Sequence, residues 1–94
     1  MSKKFDLGQV VSTASVYAMR EENPEFRAFV SDAFNRYILG DWGDLCDEDK
    51  ARNDWAVENA EQILGCYIFK DNLKIYIITE WDRSATTILF PEER

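Results

Sequence analysis

Apolar positions recur at three- and four-residue spacing through Phe26, Phe29, Val30, Ala33, Phe34, Tyr37 and Ile38, one stripe along about four helical turns. Asn23 just ahead is a good N-cap, and Pro24 suits the first helical position, where its missing N–H costs nothing. Glu25 lies on the favourable side of the helix dipole, and Gly40 is placed to end the helix at positive φ. This stretch reads as the central core helix. Upstream, the apolar stretch in FDLGQVV (residues 5–11) suits a short first strand. Ser12 and Thr13 can then cap a short helix to about Arg20, with apolar contacts from Val16, Tyr17 and Met19.

After a turn-rich connector, GDWGDLCDED, a third helix is expected from Asp47, or from Cys46 just before it, to about Leu64. A turn of about 100° per residue from Asp47 gathers Ala56, Ala60, Ile63 and Leu64 between about 160° and 260°. Asp47, Asp54, Glu58 and Glu61 gather between about 320° and 20°, nearly opposite, with Trp55 on the flank at about 80°. The remaining pattern has period two. CYIFK and LKIYIITE are rich in β-branched and aromatic residues and are separated by Asp71–Asn72, a hairpin connection. WDRSA interrupts the pattern and TTILF resumes it until Pro91. Together these elements predict one α+β domain over residues 1–94. It has two layers, about three helices packed on a small antiparallel sheet of three to four strands, with FDLGQVV as a candidate edge strand.

Composition narrows the function classes. The 94 residues are 46% apolar and 14% aromatic, too much for a disordered chain. No run approaches the roughly 18–20 apolar residues of a membrane helix, and the first ten residues lack a signal-peptide core, so a soluble cytoplasmic protein is expected. Eleven basic against eighteen acidic residues give −7, which argues against direct binding to nucleic acid or an anionic membrane. The absence of histidine excludes histidine general-base catalysis, a His–Cys pair and the usual zinc sites. The two cysteines are expected to stay reduced, Cys66 as a core residue and Cys46 as a poor nucleophile among acids. No cofactor, metal or enzymatic activity is expected.

The charge is local. Residues 1–40 balance five acids with five bases, and residues 62–94 carry five acids and four bases. Residues 41–61 carry eight acids against Lys50 and Arg52, so −6 of the −7 falls in the connector and third helix. The functional reading is a patch that docks on a basic protein surface, such as that of a nucleic-acid-binding enzyme. Asp41, Asp44, Asp47, Asp54, Glu58 and Glu61 would supply the field, with Trp42 and Trp55 as anchors. The bland alternative is a solvated helix face that keeps a small protein soluble, and internal pairing with Arg20 or Arg27 would hide the patch. A second candidate is the strand break at Glu80, Asp82, Arg83 and Ser84, where carboxylates could hold Mg²⁺ or act as acid and base. There the alternative is a loop in which Arg83 pairs with Asp82 or Glu80 and Ser84 satisfies backbone groups. A third possibility, a structural dimerisation module, requires an apolar sheet face left exposed.

GDWGDLCDEDKARND and the C-terminal IYIITEWDRSATTILFPEE together resemble a family of short bacterial proteins carried on plasmids, phages and integrative elements. Members of that family often have a histidine before the GDWG turn, where this chain has Tyr37 or its neighbours, and end in tyrosine where this chain has Arg94. The resemblance therefore implies no histidine chemistry and no catalytic residue. It implies a context in which small acidic proteins often inhibit host defence nucleases, restriction enzymes or CRISPR effectors, by occupying a basic nucleic-acid channel.

Overall fold

A computed structural model describes residues 4–70 and 73–94. In chain order the elements are β1 (Gln9–Ser12), α1 (Ala14–Glu22), α2 (Pro24–Ile38), α3 (Asp47–Asn59), β2 (Ile63–Phe69), β3 (Leu73–Thr79) and β4 (Ala85–Leu89), closed by a 3-10 turn at Pro91–Glu93. The expected hairpin connection at Asp71–Asn72 lies outside the described residues. The fold is α+β, three helices on a four-stranded sheet.

The caps explain the helix starts. Asn23 Oδ1 accepts from the backbone N–H of Glu25 at 3.0 Å and of Phe26 at 3.2 Å, which satisfies two of the orphan donors of α2. Thr13 Oγ1 does the same for Val16 at the head of α1. At the far end of α2 the backbone turns at Gly40, with φ of 87°.

The sheet order is β1-β4-β3-β2. β2, β3 and β4 form the expected antiparallel meander, with Tyr67 opposite Ile75 and Ile77 opposite Ile88. β1 departs from the all-antiparallel expectation, because it runs parallel to β4 and makes the sheet mixed. The chain leaves β1 into three helices, then β2 and β3, and returns beside it only as the last strand, the long crossover that parallel neighbours require. FDLGQVV is strand only from Gln9 onward: its Phe5 is buried, 5.4 Å from the ring of Tyr37 and 5.9 Å from that of Trp42.

The expected third helix also ends early. α3 stops at Asn59, and Ile63 and Leu64 belong to β2, where they pair with Thr79 and Ile78. The stop is set by Ala60, held in the left-handed region at φ of 52° with no glycine to mark it. Arg83, on the β3–β4 connection, secures this end. Its guanidinium donates to the carbonyls of Ala56 (2.9 Å), Glu61 (2.7 Å) and Glu80 (3.1 Å). The cation thus sits at the C-terminus of α3, sharing the Ala56 carbonyl with the Ala60 N–H and bonding the Glu61 carbonyl just beyond the helix.

One sheet face carries the core. Ile63, Tyr67, Ile75, Ile77 and Ile88 are buried against Val16 of α1 and Phe26, Val30, Ala33 and Tyr37 of α2. The polar groups there are chained: Thr86 Oγ1 donates to the Leu7 carbonyl at 2.7 Å, and Thr79 and Thr86 hydroxyls lie 2.8 Å apart. Tyr37 Oη lies 2.7 Å from Thr79 Oγ1. Each hydroxyl has one proton, so the carbonyl acceptor fixes the direction of the whole chain: Tyr37 donates to Thr79, and Thr79 to Thr86. Burial pushes the Tyr37 phenol far above its ordinary pKa, which keeps it a neutral donor.

Candidate functional site

The connector between α2 and α3 folds against the outer edge of β2. Gly43, at φ of 79°, bridges to Cys66, and a Cβ there would sit 2.1 Å from the Cys66 carbonyl oxygen. Cys66 N–H donates to the Trp42 carbonyl at 3.1 Å, and Asp44 N–H donates to the Cys66 carbonyl at 2.7 Å. The Asp44 carboxylate accepts from Ile68 N–H at 3.0 Å. One turn further, the buried Asn53 amide bonds both ways to Leu64, donating to its carbonyl at 2.7 Å and accepting its N–H at 3.2 Å. Every one of these groups would otherwise be an open strand edge, a template for unwanted pairing.

This construction divides the expected acidic site in two. Asp41 accepts from the Arg36 guanidinium at 2.8 Å and from Gly43 N–H at 3.0 Å, and the arginine holds its carboxyl below the usual range. Asp44 closes the β2 edge. Trp42, expected as a surface anchor, is instead 3% exposed, packed on Phe5 and Tyr37, and its Nε1 donates to the Asp54 carboxylate at 2.9 Å. The indole needs an acceptor once buried, and Asp54 supplies it from α3. Asp41, Trp42, Asp44 and Asp54 therefore fasten the connector to the sheet and helix.

Asp47, Trp55, Glu58 and Glu61 remain outward. All four are exposed, Trp55 at 56%. Glu61 lies beyond the end of α3, so the helical part of the stripe is Asp47, Asp54 and Glu58. Among the described residues the ion pairs are Arg36–Asp41 and Lys70–Glu25, so neither Arg20 nor Arg27 covers the acidic face. Beside it a cleft of about 490 Å³ lies between α3 and strands β2 and β3; Trp55 and Glu61 line it together with Arg52, Leu64, Tyr76 and Arg94.

The second candidate cluster builds a turn. Asp82 Oδ1 accepts Ser84 N–H at 3.0 Å, and this bonding lowers the Asp82 carboxyl below its ordinary value. Glu80 carries the first backbone bonds of the turn, from its N–H to Ala85 and from Arg83 N–H to its carbonyl. Arg83 pairs with neither carboxylate; its guanidinium is spent on the carbonyls at the end of α3. Among the described residues no three Cys, Asp or Glu side chains come close enough to hold a metal ion. Cys66 is buried, with its thiol pushed up by burial, and Cys46 is free at the surface.

The chain matches no protein-family model, no curated protein and no solved structure.

Two residues essential to this site escape a composition-based reading. Asn53 is a polar residue within the dry arc of the helical wheel, at about 240° from Asp47, and that misfit is the signal of a buried partner. Arg83 has no such local signal, because what it caps lies more than twenty positions away.

Proposed function

We propose that the protein is a non-enzymatic inhibitor from a mobile genetic element, acting in the cytoplasm by docking the acidic outer face of α3 on the basic surface of a nucleic-acid-handling defence protein. The observation that carries this reading is the exposure of Asp47, Glu58 and Glu61, without ion pairs among the described residues, on the helix that bears the exposed Trp55 and just past its end. A solvated face needs carboxylates but not a half-exposed indole, whose apolar area is the usual centre of an interface. The carboxylates steer the approach and Trp55 provides the desolvated contact.

The test is binding to a panel of purified restriction and RNA-guided nucleases, comparing wild type with an Asp47→Lys, Glu58→Lys double variant and with Trp55→Ala. Asp54 is left intact, because its replacement would release the Trp42 indole and confuse unfolding with lost binding. A nuclease inhibited by the wild type and released by both variants, at unchanged thermal stability, is the expected result. Inhibition that survives charge reversal would place the interface elsewhere.

A further inference from the structure

The two edges of the sheet are treated oppositely. Outside β2, the backbone groups of Leu64 and Cys66 and the N–H of Ile68 are all satisfied by the connector and α3. Outside β1 no described residue forms a strand or bridge. Gln9 N–H donates to the Ser84 carbonyl and Thr13 N–H to the Ile88 carbonyl, so the odd-numbered residues face β4. By the alternation of a parallel ladder, Val10 and Ser12 point their N–H and C=O groups away from the sheet. Val10 is 45% exposed and Val11 40%.

We propose that β1 pairs with β1 of a second copy of this chain, antiparallel about a two-fold axis at Val11, to give a continuous eight-stranded sheet. The register is self-complementary. Val10 exchanges both backbone hydrogen bonds with Ser12 of the second copy, Ser12 does so with its Val10, and Val11 meets its own equivalent as a non-hydrogen-bonded pair. Such pairs bring side chains closest, and two exposed valines are well suited to it.

Two further observations favour a second copy as the occupant. The first is charge. The −6 of residues 41–61 lies by the β2 edge, whereas residues 1–40, which hold β1, sum to zero. Two chains of −7 can therefore meet at β1 with their acidic helices at opposite ends of the joined sheet. The second is a cleft of about 200 Å³ under β1, lined by Val10, Val30, Phe34, Ile88 and Arg20, where Arg20 Nε is buried without an acceptor among the described residues. Ser12 of the second copy arrives opposite Val10, at this cleft, with a hydroxyl able to accept that N–H. Pairing through β1 does not depend on what α3 binds.

The experiment is sedimentation equilibrium of the full chain from micromolar to millimolar concentration, with a cross-linking arm in a Cys46→Ser background. The wild type should shift from 11.0 kDa toward twice that mass. Val11→Lys, whose side chain projects from the sheet and leaves the β4 ladder intact, should stay monomeric. Val11→Cys should oxidise to a covalent dimer, because a non-hydrogen-bonded pair has Cα atoms about 4.5 Å apart, within disulfide reach. Gln9→Cys, two positions from the axis, should not. A wild type that stays monomeric throughout overturns the proposal. So does a dimer that persists in Val11→Lys, or equal cross-linking at positions 9 and 11.

Discussion

At the scale of residues, the fold is held at its acidic end by side chains that reach far along the chain. Arg83 illustrates this. It sits in the left-handed region at φ of 60° and donates to carbonyls of Ala56 and Glu61, tying the β3–β4 turn to the end of α3. Hydrogen bonds involving a charged group contribute about 1.5–3 kcal/mol each, and partial exposure and a shared acceptor, as at Ala56, reduce this. Arg83→Met is therefore expected to cost about 1–3 kcal/mol in urea unfolding, and a loss below about 0.5 kcal/mol would show that the cap is dispensable. The role of Arg83 was not legible in the sequence, where Asp82 and Glu80 are its obvious partners. Asx-type bonding inside the turn occupies Asp82, and the guanidinium goes instead to the carbonyls of Ala56, Glu61 and Glu80. Trp42 misleads in the same way: GDWGD looks like an exposed turn, and the burial of its indole rests on Phe5, far upstream, on Tyr37 and on the Asp54 acceptor twelve residues on.

At the scale of elements, legibility follows how local the determinant is. The Asn23–Pro24 start of α2 and its apolar stripe are local, and the helix lies where they place it. The end of α3 is not, since Ile63 and Leu64 satisfy a helical wheel and a period-two strand equally well until β3 pairs with them. The parallel placement of β1 also depends on a partner strand more than seventy residues away. α3 itself is weakly secured at its start. Cys46 occupies the N-cap with extended backbone, φ of −70° and ψ of 163°, yet its side chain makes no capping bond. Cys46→Ser supplies an acceptor in the right geometry and should stabilise the protein by about 0.5–1 kcal/mol. The measurement is the urea midpoint at unchanged slope, and an unchanged or lower midpoint would contradict the assignment of Cys46 as the cap.

At the scale of the whole molecule, the sheet separates two kinds of surface. The β2 edge is closed, acidic and carries the exposed Trp55, while the β1 edge is open and near neutral. The localisation of charge was legible from composition by segment, but which carboxylates are tied to the fold was not: all of them are exposed, yet Asp41, Asp44 and Asp54 hold hydrogen bonds to Arg36, Ile68 and Trp42. Under the function proposed above, such a surface would act on a basic channel by competing with its nucleic acid. The most direct measurement is the affinity for a nuclease captured from the panel proposed above, across a salt series, with and without duplex DNA as competitor. Binding is expected to weaken steeply with salt, DNA and this protein should exclude one another, and Asp47→Lys with Glu58→Lys should flatten the salt dependence. Salt-independent affinity, or a stable ternary complex with DNA, would contradict the proposed function.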